Sequence, residues 1–515
     1  MPAALSVPVE VQHLICKQEW LERKDLARLA RSCRAWYDVA NSIVWEKLEG
    51  IDPLLRLLPE DAWSGSSGSY IDEKEVTVVR DLKAEDWCPV VKLSGLVKEL
   101  VLEYVPFSTQ AKVGSGRPKR PLLPALRRLA LGWPHKSASE YLSPFVAALV
   151  PETLAHLEIS YMYHDSGSFF SHVISQCRSI THLWISEILT YGDSKLEEQY
   201  ILDIIEELRR CPRLTQVYVT LAMDANRKVL KALSECPGLA RLTIELACND
   251  LAHGAGWEEN AYPCGFSDLG DLELDGGPFA HATRIISSSK KKMSAIAITS
   301  DDPLESSRDL CDLTRAVRTH CDRASLQRFS VCRSVYTDEG MEWPLLFEHI
   351  APLIAFRNLT ELSLPAFDGT VLTDDDCTQM ARAWPKLQIV DFTPQGIPWP
   401  EMDPACTWEG LAAFAQYCPD LDSVALPFDA SSVPSWDPET PAAMRTSSIT
   451  IYVHNYADIK DASDVARFFK RIFPLKALKV KFPRGTGVDP SIEENPERLR
   501  RYASWSHVRE LTAET

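Results

Sequence analysis

Zinc-type donors and large aromatics recur at fixed offsets in the middle of this chain. They are His156, Glu158, His182, Trp184, Gln216 and Tyr218, with an acidic set, Asp271, Glu273 and Asp275, further on. Two imidazoles and a carboxylate are zinc-type ligands, but a closed structural site takes four. The sequence offers no fourth, so no metal is expected. Trp184 and Tyr218 hold the same slot in successive apolar runs, so their rings are expected roughly 5 Å apart across neighbouring strands. Exposed aromatics in such a row anchor protein partners, each able to carry ~2 kcal/mol or more; the alternative is that they cover the floor or pack under a loop. The acidic set suits a target with basic residues and would speed encounter more than deepen affinity. Catalytic signatures are missing: there is no H-E-x-x-H, no G-x-S-x-G and no Walker-type loop. Gly114-Ser115-Gly116 runs into Arg117-Pro118-Lys119, which is no dinucleotide fingerprint, and Asp374-Asp375-Asp376 lacks EF-hand spacing and reads as a helix cap. No enzymatic activity and no cofactor are expected.

The elements that must position these residues repeat. An apolar–x–x–apolar–x–apolar run starts at Val97, Leu126, Leu154, Ile180, Leu214, Leu239, Leu269, Met293, Leu326, Leu359, Leu387, Leu421 and Leu475, with a weak copy at Thr446. The spacing averages about 29 residues, inside the range of strand-plus-helix repeats. Cys211-Pro212, Cys236-Pro237, Trp384-Pro385 and Cys418-Pro419 precede four runs in the same place, and Cys177 holds that slot before Ile180. Helical stretches precede many runs: 197–210, 226–235, 308–320, 343–356, 408–417 and 458–472. Units of this size bury their faces only when stacked. The array resembles irregular leucine-rich repeats, without the asparagine that regular repeats carry after the strand. That resemblance implies a curved solenoid of parallel strands with helices outside, its inter-apolar residues on the concave face. A doubly wound α/β enzyme is the rival fold, disfavoured because no strand leads into a phosphate-type glycine loop.

Residues 7–48 differ in kind. Val7, Val11, Leu14 and Ile15 share a helical face behind Pro8; Asp25 reads as an N-cap; and Leu26, Leu29, Ala30, Cys33, Tyr37 and Ala40 follow helical spacing, with Trp36, Trp45 and Leu48 beyond. About forty residues are too few to complete a core. The stretch resembles an F-box in Pro8-Val9-Glu10, Leu14-Ile15, Asp25-Leu26-Leu29-Cys33-Trp36 and Trp45–Leu48. It departs at Val7, where Leu is usual, and at Ser32, where Val commonly stands. The F-box resemblance and the repeats together point to the fungal-type F-box and leucine-rich-repeat family. The likeness implies docking on the adaptor of a cullin-RING (SCF-type) ubiquitin ligase, with Pro8, Leu14, Ile15, Leu26 and Leu29 at the interface. It also implies that Cys33, Trp36 and Trp45 lie in the module's own core.

The chain has 515 residues, 45% hydrophobic and 25% charged, with formal charge -17. That balance argues against nucleic acid, and no apolar run is long enough to span a bilayer. The basic clusters Arg117–Arg120 and Lys290–Lys292 read as solvated loops. Fourteen cysteines, with no C-x-x-C pair and no export signal, read as reduced thiols, which implies a cytoplasmic or nuclear location. The expected organisation is a helical F-box at 5–50, a hinge at 51–75 centred on the Gly/Ser run 59–70, an α/β solenoid at 76–490 and a C-terminal helical cap or tail at 491–515. Gly/Pro-rich excursions are expected at 107–121, 249–265, 393–407 and 427–441. The expected function is a substrate receptor that binds the adaptor, and through it the cullin, at one end and a target protein along the array. The alternatives are a repeat scaffold unattached to any ligase, and a repeat protein lending an arginine finger to a GTPase.

Overall fold

A computed structural model describes residues 7–18, 20–67, 74–103, 105–116, 120–132, 142–160, 173, 176–186, 202, 205–206, 211–222, 226–247, 265–302, 305–333, 343–365, 369–393, 404–433, 448–453, 458–473, 477–481 and 496–513. They fall into two compact units, Met1–Leu239 and Ala240–Thr515. The expected helix at 197–210 and the excursion at 249–265 lie almost wholly outside the described residues, as do 394–403 of the excursion expected at 393–407 and 434–441 of that expected at 427–441. Among the described residues no helix is long and apolar enough to cross a membrane.

The first unit opens with three helices, Val9–Cys16, Arg23–Ser32 and Arg34–Val44. Cys16, Leu26, Ala30, Val39 and Ala40 form their core, with Leu21, Leu29, Trp36, Ile43 and Val44 packed around it. The apolar spacing from Leu26 through Ala40 is split between two helices rather than carried by one. Cys33 is extended (φ -161, ψ 164) and ends one helix before the next begins. The apolar period therefore restarts at Arg34, and both Cys33 and Tyr37 face solvent.

Behind the helices, strand Lys47–Glu49 pairs in parallel with Glu99–Leu102. Arg128–Gly132, His156–Ser160, His182–Ser186 and Gln216–Ala222 follow, each parallel to the one before. The second unit repeats the arrangement through Arg241–Ala247, Asp271–Asp275, Ala295–Ser300, Arg328–Arg333, Glu361–Ser363, Ile389–Asp391, Ser423–Ala425, Ser448–Tyr452 and Ala477–Lys481. Alternation does the sorting. Leu157, Ile159, Leu183, Ile185, Leu272 and Leu274 are buried, while the residues between them occupy the opposite face. The class is α/β with parallel strands, as the apolar spacing requires.

The recurrent Cys/Trp slot has a physical role. The Cys177 thiol lies 3.7 Å from the carbonyl of Pro151 and that of Cys211 3.8 Å from the carbonyl of Cys177. Cys418 donates to Ala381 and Trp384 at 3.6 and 3.5 Å, and the Trp384 indole to Leu353 at 3.2 Å. Each of these donors sits in one repeat and satisfies a carbonyl of the repeat before it. Burial pushes the Cys177 and Cys418 thiols up to about 12, which suits structural rather than reactive sulfur. Cys236 instead bonds Ala232 of its own helix.

Two expected loops carry secondary structure where they are described. Residues 51–75 do not behave as a hinge where they are described: Ile51, Leu54, Leu55, Leu58 and Ala62 are buried. The strand Trp63–Ser67 pairs antiparallel with Lys74–Val78, and Arg80 bridges Asp61 and Asp86 at 2.7 Å each. The Gly/Ser run looks flexible by composition, yet part of it finds a strand partner. Likewise Phe107–Ser115 is a helix rather than an excursion, and Thr109 accepts from the Val78 amide (3.0 Å). The expected helix at 343–356 starts later, after a short strand, Leu345–Leu346, as one α-helical turn, Phe347–Ile350, that continues as a 3-10 helix, Ala351–Ala355. At the other end, helix Pro496–Ala513 sends Trp505 into a cluster of rings with Trp408, Phe428 and Phe469.

Candidate functional site

In helix Val9–Cys16 the apolar residues point the wrong way for a self-contained fold. Its inward residues are Gln12 and Cys16. The Gln12 side-chain amide donates to Val7 (2.8 Å), while its oxygen is left without a partner among the described residues. Leu14 is 63% exposed and Ile15 37%. Val11 is exposed beside them, Val9 is exposed at the start of the helix, and Trp20, in the connection to the next helix, is 72% exposed. Pro8, ahead of the helix, is exposed too. Clustered rather than scattered exposed apolar groups mark an interaction surface.

Not every residue assigned to that surface lies on it. Leu26 is 4% exposed and belongs to the core, and Leu29 is half-buried against it. Both sit on the inner face of their helix, where a period shared by core and interface gave no means of separating them. Of the three residues expected inside, Trp36 is half-buried against the core, Trp45 is half-buried at the end of its helix, and Cys33 is outside it. Trp20 falls outside the apolar spacing of both helices, and the signal that finds it is a lone Trp between them.

On the sheet face of the first unit, register brings the singled-out residues into rows. His156 pairs with His182 and His182 with Gln216, while Glu158 pairs with Trp184 and Trp184 with Tyr218. The two imidazoles stack at 3.9 Å, and the Trp184 and Tyr218 rings stack at 3.6 Å with a 10° tilt. Trp184 is 43% exposed, so it is not sealed under a loop. Desolvation, helped by Arg128, lowers His156 from its ordinary range. Arg128 holds Glu158 at 2.9 Å, and the His182 Nδ1 meets the Thr181 hydroxyl at 2.7 Å. Stacked rings turn their faces, not their lone pairs, toward each other, which is not a zinc-binding pose. Thr220, two residues on from Tyr218 on the same strand face, is buried.

In the second unit, Asp271, Glu273 and Asp275 share a strand face, but the surface around them is not uniformly acidic. Burial pushes the Asp271 carboxyl up; the Ser294 hydroxyl and Arg241 (2.7 Å) outweigh it and hold the group below its usual range. Glu273 accepts from the Thr243 hydroxyl at 3.2 Å. The basic cluster Lys290–Lys292 is also not what its composition suggested. Lys291 is buried, donates to Gly265, Ser288 and Ser289, and is pushed down to about 8 by desolvation.

No curated protein matches the chain. Residues 4–49 match the model of the F-box-like family, which spans the three helices and the strand that follows them. The chain carries an F-box-like domain at its N-terminal end.

Proposed function

We propose that this protein is the substrate receptor of an SCF-type ubiquitin ligase, with no catalytic chemistry of its own. F-box domains typically bind Skp1-type adaptors, and the observation that carries the reading is the uncovered ridge of Val11, Leu14 and Ile15 on an F-box-like domain, with Val9 and Trp20 exposed as well. Pro8 would flank that ridge. The parallel array behind it, taken as a curved solenoid of irregular leucine-rich repeats, would present a target, with Trp184, Tyr218, His156, His182, Glu158 and Gln216 as contact residues. Through the cullin bound to the adaptor, a ubiquitin-charged enzyme would be brought near the target's lysines, so the contribution to rate is proximity alone. The compartment would be cytosol or nucleus.

Leu14→Asp and Ile15→Asp test the docking step, since each plants a charge on the ridge without touching the core. Purified adaptor should bind the intact chain and lose both variants at unchanged circular dichroism. Full retention by both would remove the basis for the ligase assignment. A second reading, an array scaffold capped by the helices, draws on strand Lys47–Glu49, which builds the module into the sheet. It expects no adaptor binding by the wild type, and loss of sheet stability when residues 1–50 are deleted.

A further inference from the structure

The face of the second unit's sheet has a gap in its row of side chains. Strand Ala295–Ser300 contributes Ala295 and Ala297 where its neighbours contribute Asp271 and Glu273 on one side and Arg328 and Ser330 on the other. The missing bulk leaves a depression of about 280 Å³. Its charges are unequally spent. Asp271 is held by Arg241 through two nitrogens, at 2.7 and 3.1 Å. Arg328, in register with Glu361 on the far side, lines the same depression and adds its charge to that of Arg241 in favouring the ionised Asp271. Glu273 is different: among the described residues it pairs with no basic side chain, and its recorded partner is the neutral Thr243 hydroxyl. Asp275, two residues on, adds a further exposed carboxylate on the same face.

We propose that this notch receives one lysine or arginine side chain of the bound target, its cationic head against Glu273 and its methylene stem over Ala295 and Ala297. The inference rests on the receptor reading for its biological occupant, and the chemistry of the notch selects the class. A long basic side chain buries an apolar stem and keeps a charged head, which matches a floor of two methyl groups beside an open carboxylate. An acidic side chain would meet Glu273 and Asp275 at like charge. A net charge of -17 on the chain favours the cation at longer range as well.

The experiment uses the full chain labelled with carbon-13 at alanine methyls and titrated with N-acetyl-arginine amide, N-acetyl-lysine amide and N-acetyl-glutamate amide. The basic probes should give saturable shifts at Ala295 and Ala297 and the acidic probe none. Glu273→Gln, an exposed isosteric change, should weaken the basic probes by about tenfold, as expected for a lost charge-assisted bond. Ala297→Leu, which fills the depression, should abolish the shifts. Absence of saturable shifts in the wild type overturns the proposal, as does binding unchanged by Glu273→Gln or a preference for the glutamate probe. Adaptor capture by the wild-type chain is run alongside. Capture lost by the wild type with probe binding intact removes the ligase and leaves the notch; capture retained without probe binding does the reverse.

Discussion

Two helices of this protein carry similar apolar residues and place them oppositely. In Ala462–Ile472, Val465, Phe468, Phe469 and Ile472 are buried and Lys470 is exposed. In Val9–Cys16 the order is inverted: a glutamine and a cysteine face inward, and Val11, Leu14 and Ile15 meet solvent. The first pattern is what burial of apolar area produces when a chain completes its own core. The second leaves a hydrophobic ridge bare while sealing an amide, which makes no sense for stability alone and is consistent with a surface reserved for another molecule. The ends of the two helices differ in the same way. Asp461 caps the C-terminal one by accepting from the Ser463 and Asp464 amides, whereas Pro8 offers the N-terminal one no side-chain cap.

The comparison breaks first under truncation. Phe469→Ala should cost about 3–5 kcal/mol, because a fully buried ring leaves a cavity. Leu26→Ala, in the core of the helical module, should cost about 2–5 kcal/mol, while Leu14→Ala should stay within about 0.5 kcal/mol. Urea unfolding of the three variants measures this ordering. A Leu14→Ala loss as large as that of Leu26→Ala would mean that the ridge is covered in solution, and the contrast between the helices would collapse.

The sequence carried the class of the fold further than it carried the site, and the reason is the kind of signal each leaves. Strand positions such as Leu157, Ile159, Leu272 and Leu274 announce themselves because a period of two survives any tertiary context. The Cys and Trp slot was visible as a repeat, though not as a set of donors to the preceding repeat's carbonyls. Rows across strands followed from register, so the Trp184–Tyr218 stack was legible. Helix faces were harder. Leu26 and Ile15 are chemically alike and both fit helical spacing, so nothing local says which meets the core. The break at Cys33 had no Gly or Pro to mark it, and the pairing of the Gly/Ser run with Lys74–Val78 is a tertiary fact. Arg241 and Arg328, which offset the acidic strand, come from other repeats and could not be seen in a linear reading of Asp271–Asp275.

A pH titration sharpens the same contrast from the C-terminal side. Glu305 accepts from the Phe279 amide and from the Ser300 hydroxyl (3.3 Å), tying one helix start to the next repeat. Desolvation raises its carboxyl to about 8. Because the folded value lies above the unfolded one, near 4.3, the native state holds the extra proton across that window. Stability should therefore fall as pH rises from about 5 to about 8, by at most about 1.4 kcal/mol per unit from this one group. Glu305→Gln keeps an acceptor and has no proton to lose, so its stability should be flatter over the same interval. Parallel curves for the two proteins would show that Glu305 is ionised at neutral pH after all.

The smallest effects separate ties within a helix from ties between helices. Thr373 and Asp376 close a capping box at the start of Asp374–Ala383, with the Asp376 amide 3.2 Å from the Thr373 hydroxyl. Asp374, one residue on, reaches into the next repeat, accepting from the Thr407 and Gly410 amides and the Thr407 hydroxyl at 2.8 Å each. Removing its carboxylate strands amides that are partly buried, so Asp374→Ala should cost about 1–3 kcal/mol. Thr373→Ala loses one exposed cap and should cost about 1 kcal/mol. The ranking matters more than either value. If repeats in this unit are joined by polar staples as well as by apolar packing, the between-helix tie must outweigh the within-helix one. Equal losses would assign that cohesion to packing alone, and the uncapped Val9–Cys16 helix would then owe its exposed ridge to nothing but the direction its apolar residues face.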